Sequence, residues 1–347
     1  MQRSLQRVYS PLAFRPPSIL CRGACGSWST ISPSLTNCPT TAQMRSPSAI
    51  MSKGSIIDAH VHHYPEEVFP NPKRWAEARG EHHWAHLVSS PSGKPSLQGW
   101  SNLDTLFTDM ETAGIGKVVF QGWYWERLDT CNWHNDWQAR WAKEHPEKII
   151  ALASVQPLAG NIAIDSLKSA YDAGLRGIGE VFPKAQGFSM QDATWLKMVE
   201  WAIEHTLPIT LHVTEPVGHT YPGKVHAPLS DYQWLAETYP EATLIFAHWG
   251  GLLPFYELNH ACHKAFKNVY YDTAASPLLY EPQIYQAVVD AVGADKVLFG
   301  SDYPLRLYPQ EQSRPDFTSI LEEIETSPLS EANKRKILFE NAARIFK

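Results

Sequence analysis

The run Asp58-Ala59-His60-Val61-His62 places two imidazoles one residue apart. Alternate side chains of a strand share a face, so His60 and His62 can converge on one cation, whereas His63 falls on the opposite face and reads as structural. Alone, the pair would also fit one core hydrogen-bonding histidine and one surface histidine. It does not stand alone. Further groups of the same kind close other apolar runs: Glu180 in Gly179-Glu180-Val181, His212 in Leu211-His212-Val213, His248 in Ala247-His248-Trp249-Gly250-Gly251, and Asp302 in Gly300-Ser301-Asp302-Tyr303-Pro304. A single Glu180 would as readily be a satisfied buried polar group. Recurrence at five run ends points instead to ligands, because buried charges are tolerated when paired or metal-bound. Nitrogen and oxygen donors of this kind suit zinc, and also manganese or iron, as one or two ions.

Such a centre needs an element that gathers distant run ends. Apolar runs bounded by turn residues occur at 56–62, 117–123, 149–156, 175–182, 208–214, 243–248, 269–274 and 296–301. They are short, rich in Val, Ile, Phe and Leu, and lack polar alternation, as parallel strands covered on both faces do. Between them lie helical patterns. Leu103, Leu106, Phe107 and Met110 share one face, as do Trp195, Met198, Val199, Ala202 and Ile203. Gly114 is expected to end the first helix, Ser189 to cap the second, and Ser330 to open a final amphipathic segment. Eight β/α units over about 290 residues predict an α/β fold, a (β/α)8 TIM barrel, whose strand C-termini meet at one rim. The connection 64–102 after the first strand is too long for a simple loop, so it is expected to be an insertion or lid over the pocket.

The pattern resembles the amidohydrolase superfamily, in its amidohydrolase-related branch of metal-dependent barrel hydrolases and decarboxylases. The resemblance rests on Ile57-Asp58-Ala59-His60-Val61-His62, the His212 strand, Ala247-His248-Trp249-Gly250-Gly251 and Phe299-Gly300-Ser301-Asp302-Tyr303-Pro304, and runs from about Ser55 to Lys347. It implies that His60 and His62 bind the metal, and that His212 is a further ligand or bridges to a second ion. It also implies that Asp302 touches the metal and shuttles protons, and that His248 binds a second metal or polarises the substrate. Glu180 departs from many members of the decarboxylase branch and is similar to the metal-bridging glutamate of TatD-like hydrolases.

The expected activity is therefore metal-dependent hydrolysis of a lactone, ester or amide of a small organic acid, by water whose pKa the ion lowers. Alternatives are non-oxidative decarboxylation of a small aromatic or unsaturated acid, and a barrel that binds without turnover. Substrate contacts are expected from Trp123, Tyr124, Trp125, Tyr221, Lys184, Lys224 and Arg306: the aromatics would stack on a planar group and the cations would hold a carboxylate. The aromatic richness could equally mark a homodimer interface.

The net charge of −6 leaves no basic stripe for nucleic acid, and no apolar run has membrane-spanning length. Residues 1–53 hold six of the 30 Lys and Arg and no acidic residue. This reads as a leader ahead of a barrel at 54–347: either sequence preceding a start at Met51, which implies a cytoplasmic enzyme, or a transit segment, which implies the mitochondrial matrix. Cys131 and Cys262 lack metal-type spacing, and no disulfide framework is expected.

Overall fold

The structure, a computed structural model, describes residues 55–89 and 96–346. The leader expected at 1–53 and residues 90–95 of the insertion lie outside the described residues. Eight parallel strands appear where the apolar runs predict them, each of them shorter than its run. They are β1 (Ile56–Val61), β2 (Ile115–Phe120), β3 (Ile149–Ala151), β4 (Ile178–Val181), β5 (Ile209–Leu211), β6 (Leu244–Phe246), β7 (Val269–Asp272) and β8 (Val297–Leu298). Regular ladders join β1-β2-β3 and β4-β5-β6-β7-β8.

Backbone hydrogen bonds close both seams of the cylinder. Between β3 and β4, Arg176 N donates to Ala151 O (2.8 Å), Ala153 N to Gly177 O (2.9 Å) and Gly179 N to Ala153 O (3.0 Å). Between β8 and β1, Ala59 N donates to Phe299 O (2.7 Å), Asp302 N to His60 O (2.9 Å) and His62 N to Tyr303 O (2.7 Å). Closure brings His60, His62 and Asp302 together although some 240 residues separate them in the chain. The ladders shift register within Asp58–Val61 and within Ile178–Val181, the stretches that carry His60 and Glu180. Such irregularities re-aim side chains beside functional sites.

Helices α3 (Leu103–Ala113), α4 (Leu128–Glu144), α5 (Asn161–Asp172), α7 (Ala193–Glu204) and α8 (Leu229–Thr238) follow β1 to β5 in turn. Gly114 ends α3 in the left-handed conformation (φ 76°), and Ser330 accepts from Asn333 N at 3.3 Å to open the last helical stretch. Asp192 rather than Ser189 caps α7, accepting from Thr194 N and Trp195 N at 2.9 and 3.0 Å. Its carboxylate is the stronger acceptor for two free N–H groups. Among the described residues no helix is long and apolar enough to cross a membrane.

The insertion contains helices α1 (Pro72–Arg79) and α2 (His82–Val88), while α6 (Pro183–Gln186) follows β4. The insertion returns along the loop after β8, with Gly99 N donating to Pro304 O and Arg306 N to Leu97 O, both at 2.9 Å. It has its own aromatic core, in which Tyr64, Trp84 and Trp125 are buried, with Trp75, Trp100 and Trp133 packed around them. His134 is the polar pin of this core. Indole N–H only donates, so Trp125 Nε1 gives its hydrogen to His134 Nδ1 (3.1 Å), and His134 Nε2–H donates to His63 O (3.0 Å). His63 packs on Phe120 and Trp141, in the structural place expected of it.

Burial pushes the His134 pKa down to about 4, against the opposing pull of the His63 carbonyl, from an ordinary 6.5. Between these values the unfolded chain binds the proton and the folded chain does not, so stability falls as pH falls from 6.5 toward 4. His134→Gln keeps a donor for His63 O without the titration. Denaturant unfolding at pH 7 and pH 5 is expected to show a smaller acid loss in this variant than in the wild type; equal losses would contradict the assignment.

Candidate metal centre

Each side chain at the rim is aimed by its strand end. His60 and His62 alternate along β1, and their Nε2 atoms lie 3.2 Å apart. Gly300 lets β8 approach, since a Cβ there would sit 2.7 Å from His60 Cβ. Asp302 follows β8 with φ 66°, and its Oδ1 stands 3.6 Å from His62 Nε2 and 3.9 Å from His60 Nε2. His248 begins a run of five residues with positive φ, His248 to Leu252, two of them glycines. A left-handed turn of this length costs about 1–2 kcal/mol for each non-glycine residue. It is held by His248 N donating to Asp272 Oδ1 and by Trp249 Nε1 donating to Ser276 Oγ, both at 2.9 Å.

Glu180 spans the site. Its Oε2 lies 3.6 Å from His62 Nε2 and 3.9 Å from His60 Nε2, while Oε1 lies 2.9 Å from His212 Nδ1 and 3.5 Å from His248 Nε2. His248 Nε2 and His212 Nδ1 are 3.1 Å apart. Two triads result, His60–His62–Asp302 and Glu180–His212–His248, and within each the ligand atoms lie within 4.8 Å of one another. Ions with ligands at about 2.0–2.2 Å accept pairs up to about 4 Å apart. The six residues expected from the sequence thus come together.

The tautomers suit cations. His248 Nδ1–H donates to Ala274 O (3.0 Å), which in the neutral ring leaves Nε2 bare toward the site. His60 Nδ1–H donates to Asp272 Oδ2 (2.8 Å), which leaves its Nε2 bare in the neutral ring. His62 Nδ1 is buried without a hydrogen-bond partner among the described residues. Four carboxylates, Asp58, Glu180, Asp272 and Asp302, are 6% exposed or less, and among the described residues none pairs with Lys or Arg. Two divalent cations would balance four such charges. Burial would depress His60, but Asp272 beside it prevails and raises it to about 10. His248 rises to about 9 against burial, through Glu180 and Asp302. Burial lifts Asp302 to about 6 and Asp58 to about 7, whereas Glu180 is held low by His212 despite its burial.

Asp272 and Asp58 were not among the residues expected to act. Asp58 Oδ1 accepts from His60 N (2.9 Å) and Ser301 N (3.1 Å), tying β1 to the loop that carries Asp302. Asp272 ends β7 and orients His60 and the His248 turn together. The signal that marks Glu180, a carboxylate closing an apolar run, was equally present at Asp272.

Above the triads opens a cavity of about 470 Å³, lined by Trp123, Tyr124, Phe182 and Tyr221 among others. The other expected substrate contacts lie elsewhere. Trp125 is fully buried in the insertion core, Lys184 is exposed on α6, and Arg306 donates to Ser96 O. Lys224 binds Glu215 and His219 O.

Asp272→Asn removes the charge that orients His60 while leaving all six candidate ligands in place. Affinity for added zinc or manganese is expected to fall about 10–100-fold, as for other partners of metal-bound histidines. Unchanged affinity by calorimetry would contradict that role.

The amidohydrolase family profile matches residues 57–347. Solved structures share the barrel at low identity. A 5-carboxyvanillate decarboxylase from Sphingomonas paucimobilis is 15% identical with a TM-score of 0.64, over 84% of this chain and 99% of that one. A dihydroxybenzoic acid decarboxylase from Polaromonas, with bound manganese and the inhibitor 2-nitroresorcinol, is 18% identical with a TM-score of 0.61, over 84% and 97%. A 2,6-dihydroxybenzoate decarboxylase from Rhizobium is 16% identical with a TM-score of 0.57, over 84% and 98%. With its barrel, its convergent donors and a family match over residues 57–347, the chain belongs to the amidohydrolase family of metal-dependent enzymes.

Proposed function

We propose that the chain is a two-metal hydrolase that cleaves a lactone, ester or amide of a small organic acid. The observation that carries this reading is the division of Glu180, one oxygen toward His60 and His62 and the other toward His212 and His248. A carboxylate so placed suits a bridge between two ions. His60, His62 and Asp302 would hold one ion, and His212 and His248 the other. When bound, the ions supply Lewis acidity and a nucleophilic water near neutral pH. The imidazole-rich donor set favours zinc, and manganese is the other candidate.

The chain's own groups complete the chemistry. Asp302 lines the cavity and its burial pushes the carboxyl up to about 6, so Oδ can take a proton from the attacking water and return it to the leaving group. Asp272 and Asp58 keep His60 and the Asp302 loop in register, so the groups need no reorganisation as charge develops. Trp123 and Tyr124, stacked with centroids 4.2 Å apart, form with Phe182 an apolar wall that excludes bulk water and accommodates a flat organic group.

That aromatic wall also favours a second reading, metal-dependent decarboxylation of a small aromatic acid, the reaction named for the similar solved structures. The two separate in one assay. Metal-loaded protein is given a panel of lactones and esters, with acid release followed by pH-stat, and a panel of hydroxylated benzoic acids, with CO2 release followed in parallel. Hydrolysis predicts acid release that vanishes on chelation and falls at least about 100-fold in Glu180→Ala, alongside two metal ions per chain by elemental analysis. CO2 release from the acids without hydrolysis, with one ion per chain, would replace the hydrolase reading by the second.

A further inference from the structure

One side chain of the insertion reaches the cavity with an unused function. His83, near the start of α2, lines it, and its Nε2 lies 2.8 Å from Gly223 O. A carbonyl only accepts, so Nε2 carries the hydrogen and Nδ1 keeps a bare lone pair. That Nδ1 is buried and has no hydrogen-bond partner among the described residues. Burial holds the imidazole below its ordinary pKa, against the Gly223 carbonyl, so the neutral acceptor form persists at pH 7. A buried acceptor left unmatched costs about 1–3 kcal/mol, which a ligand donor would recover.

The ring is held firmly. His83 N donates to Glu126 Oε2 (2.7 Å), and Glu81 accepts from Glu126 N (2.7 Å) and Arg127 N (3.1 Å), clamping α2 to the loop after β2. On its other side, Gly223 precedes Lys224, which is fixed by Glu215 and His219 O. Tyr124 and Phe182 lie between His83 and the metal centre: their centroids are 5.6 and 6.4 Å from His83, and 5.3 and 4.5 Å from His212. The His83 ring and the His212 ring therefore flank the same two rings of the cavity wall.

We propose that His83 is a specificity-determining residue whose Nδ1 accepts a hydrogen bond from a hydroxyl group on a small, planar organic acid held in this cavity. A hydroxyl fits better than an ammonium. The Glu215 charge on the cavity wall is already matched by Lys224, while Tyr124 and Tyr221, which line the same cavity and stay protonated through burial, can donate to a hydroxyl oxygen. The inference rests on reading the cavity as the substrate site and is independent of which bond the enzyme breaks.

The test measures binding rather than turnover, so failure of the hydrolase reading leaves it intact. Benzoate and the three monohydroxybenzoates are titrated calorimetrically into the metal-loaded protein and two variants. In the wild type at least one hydroxybenzoate is expected to bind about tenfold more tightly than benzoate, which is about 1.4 kcal/mol. His83→Gln can keep the donor toward Gly223 O but has no acceptor at the Nδ1 position; that isomer should fall to within about twofold of benzoate, whose own affinity stays unchanged. His83→Asn places an amide oxygen near Nδ1 and should retain most of the preference. The proposal is overturned if no hydroxybenzoate exceeds benzoate in the wild type, if the preference survives in His83→Gln, or if both variants weaken benzoate and hydroxybenzoate alike.

Discussion

Negative charge buried where strand ends converge is the constraint on which the rest of this molecule depends. Asp58, Glu180, Asp272 and Asp302 are almost wholly removed from water and have no Lys or Arg partner among the described residues. Isolated carboxylates in such surroundings cost many kcal/mol, so the arrangement calls for positive charge or protons among them. The field of these carboxylates is strong enough that burial, acting to lower the pKa values of His60 and His248, is overcome by Asp272 at the first and by Glu180 and Asp302 at the second. A site that holds imidazolium so strongly is electrostatically prepared for cations.

The fold serves this constraint at several removes. Hydrogen bonds across the β8–β1 seam bring Asp302 to His60, Gly300 permits the close approach, and Asp272 couples His60 to the left-handed turn bearing His248. Strain in that turn sits beside the candidate ligands, as it does at sites where surrounding contacts fix a backbone that would not otherwise adopt such angles. The segment after β1 adds part of the cavity wall. Its core is aromatic, and its attachment to the barrel runs through Glu81 and Glu126 to backbone N–H groups and through His83 to Gly223.

Much of this was legible in the sequence, for identifiable reasons. Period-two spacing placed His60 and His62 on one face, and short apolar runs located all eight strands, because a barrel strand is buried on both sides and signals itself by composition. The ladders proved shorter than the runs, since residues near the rim leave regular pairing to face the site, as Glu180 does between register-shifted neighbours. Asp272 went unrecognised although it carried the same local signal as Glu180. The insertion was legible as a segment but not as two helices. Trp123 and Trp125 could not be told apart, since only the packing of α1 and α2 decides which ring faces the cavity and which is sealed beneath Trp84. Lys224 read as a free cation because its partner Glu215, nine residues earlier, is brought back by a loop whose turn has no periodic signal.

The most direct measurement of the central claim is a crystal of metal-loaded protein, with anomalous difference maps collected at the absorption edge of the bound metal. Two peaks about 3.5–4 Å apart, one touching His60, His62 and Asp302 and the other His212 and His248, with Glu180 contributing an oxygen to each, is the predicted result. A single peak, with the second triad held together by protons alone, would contradict it.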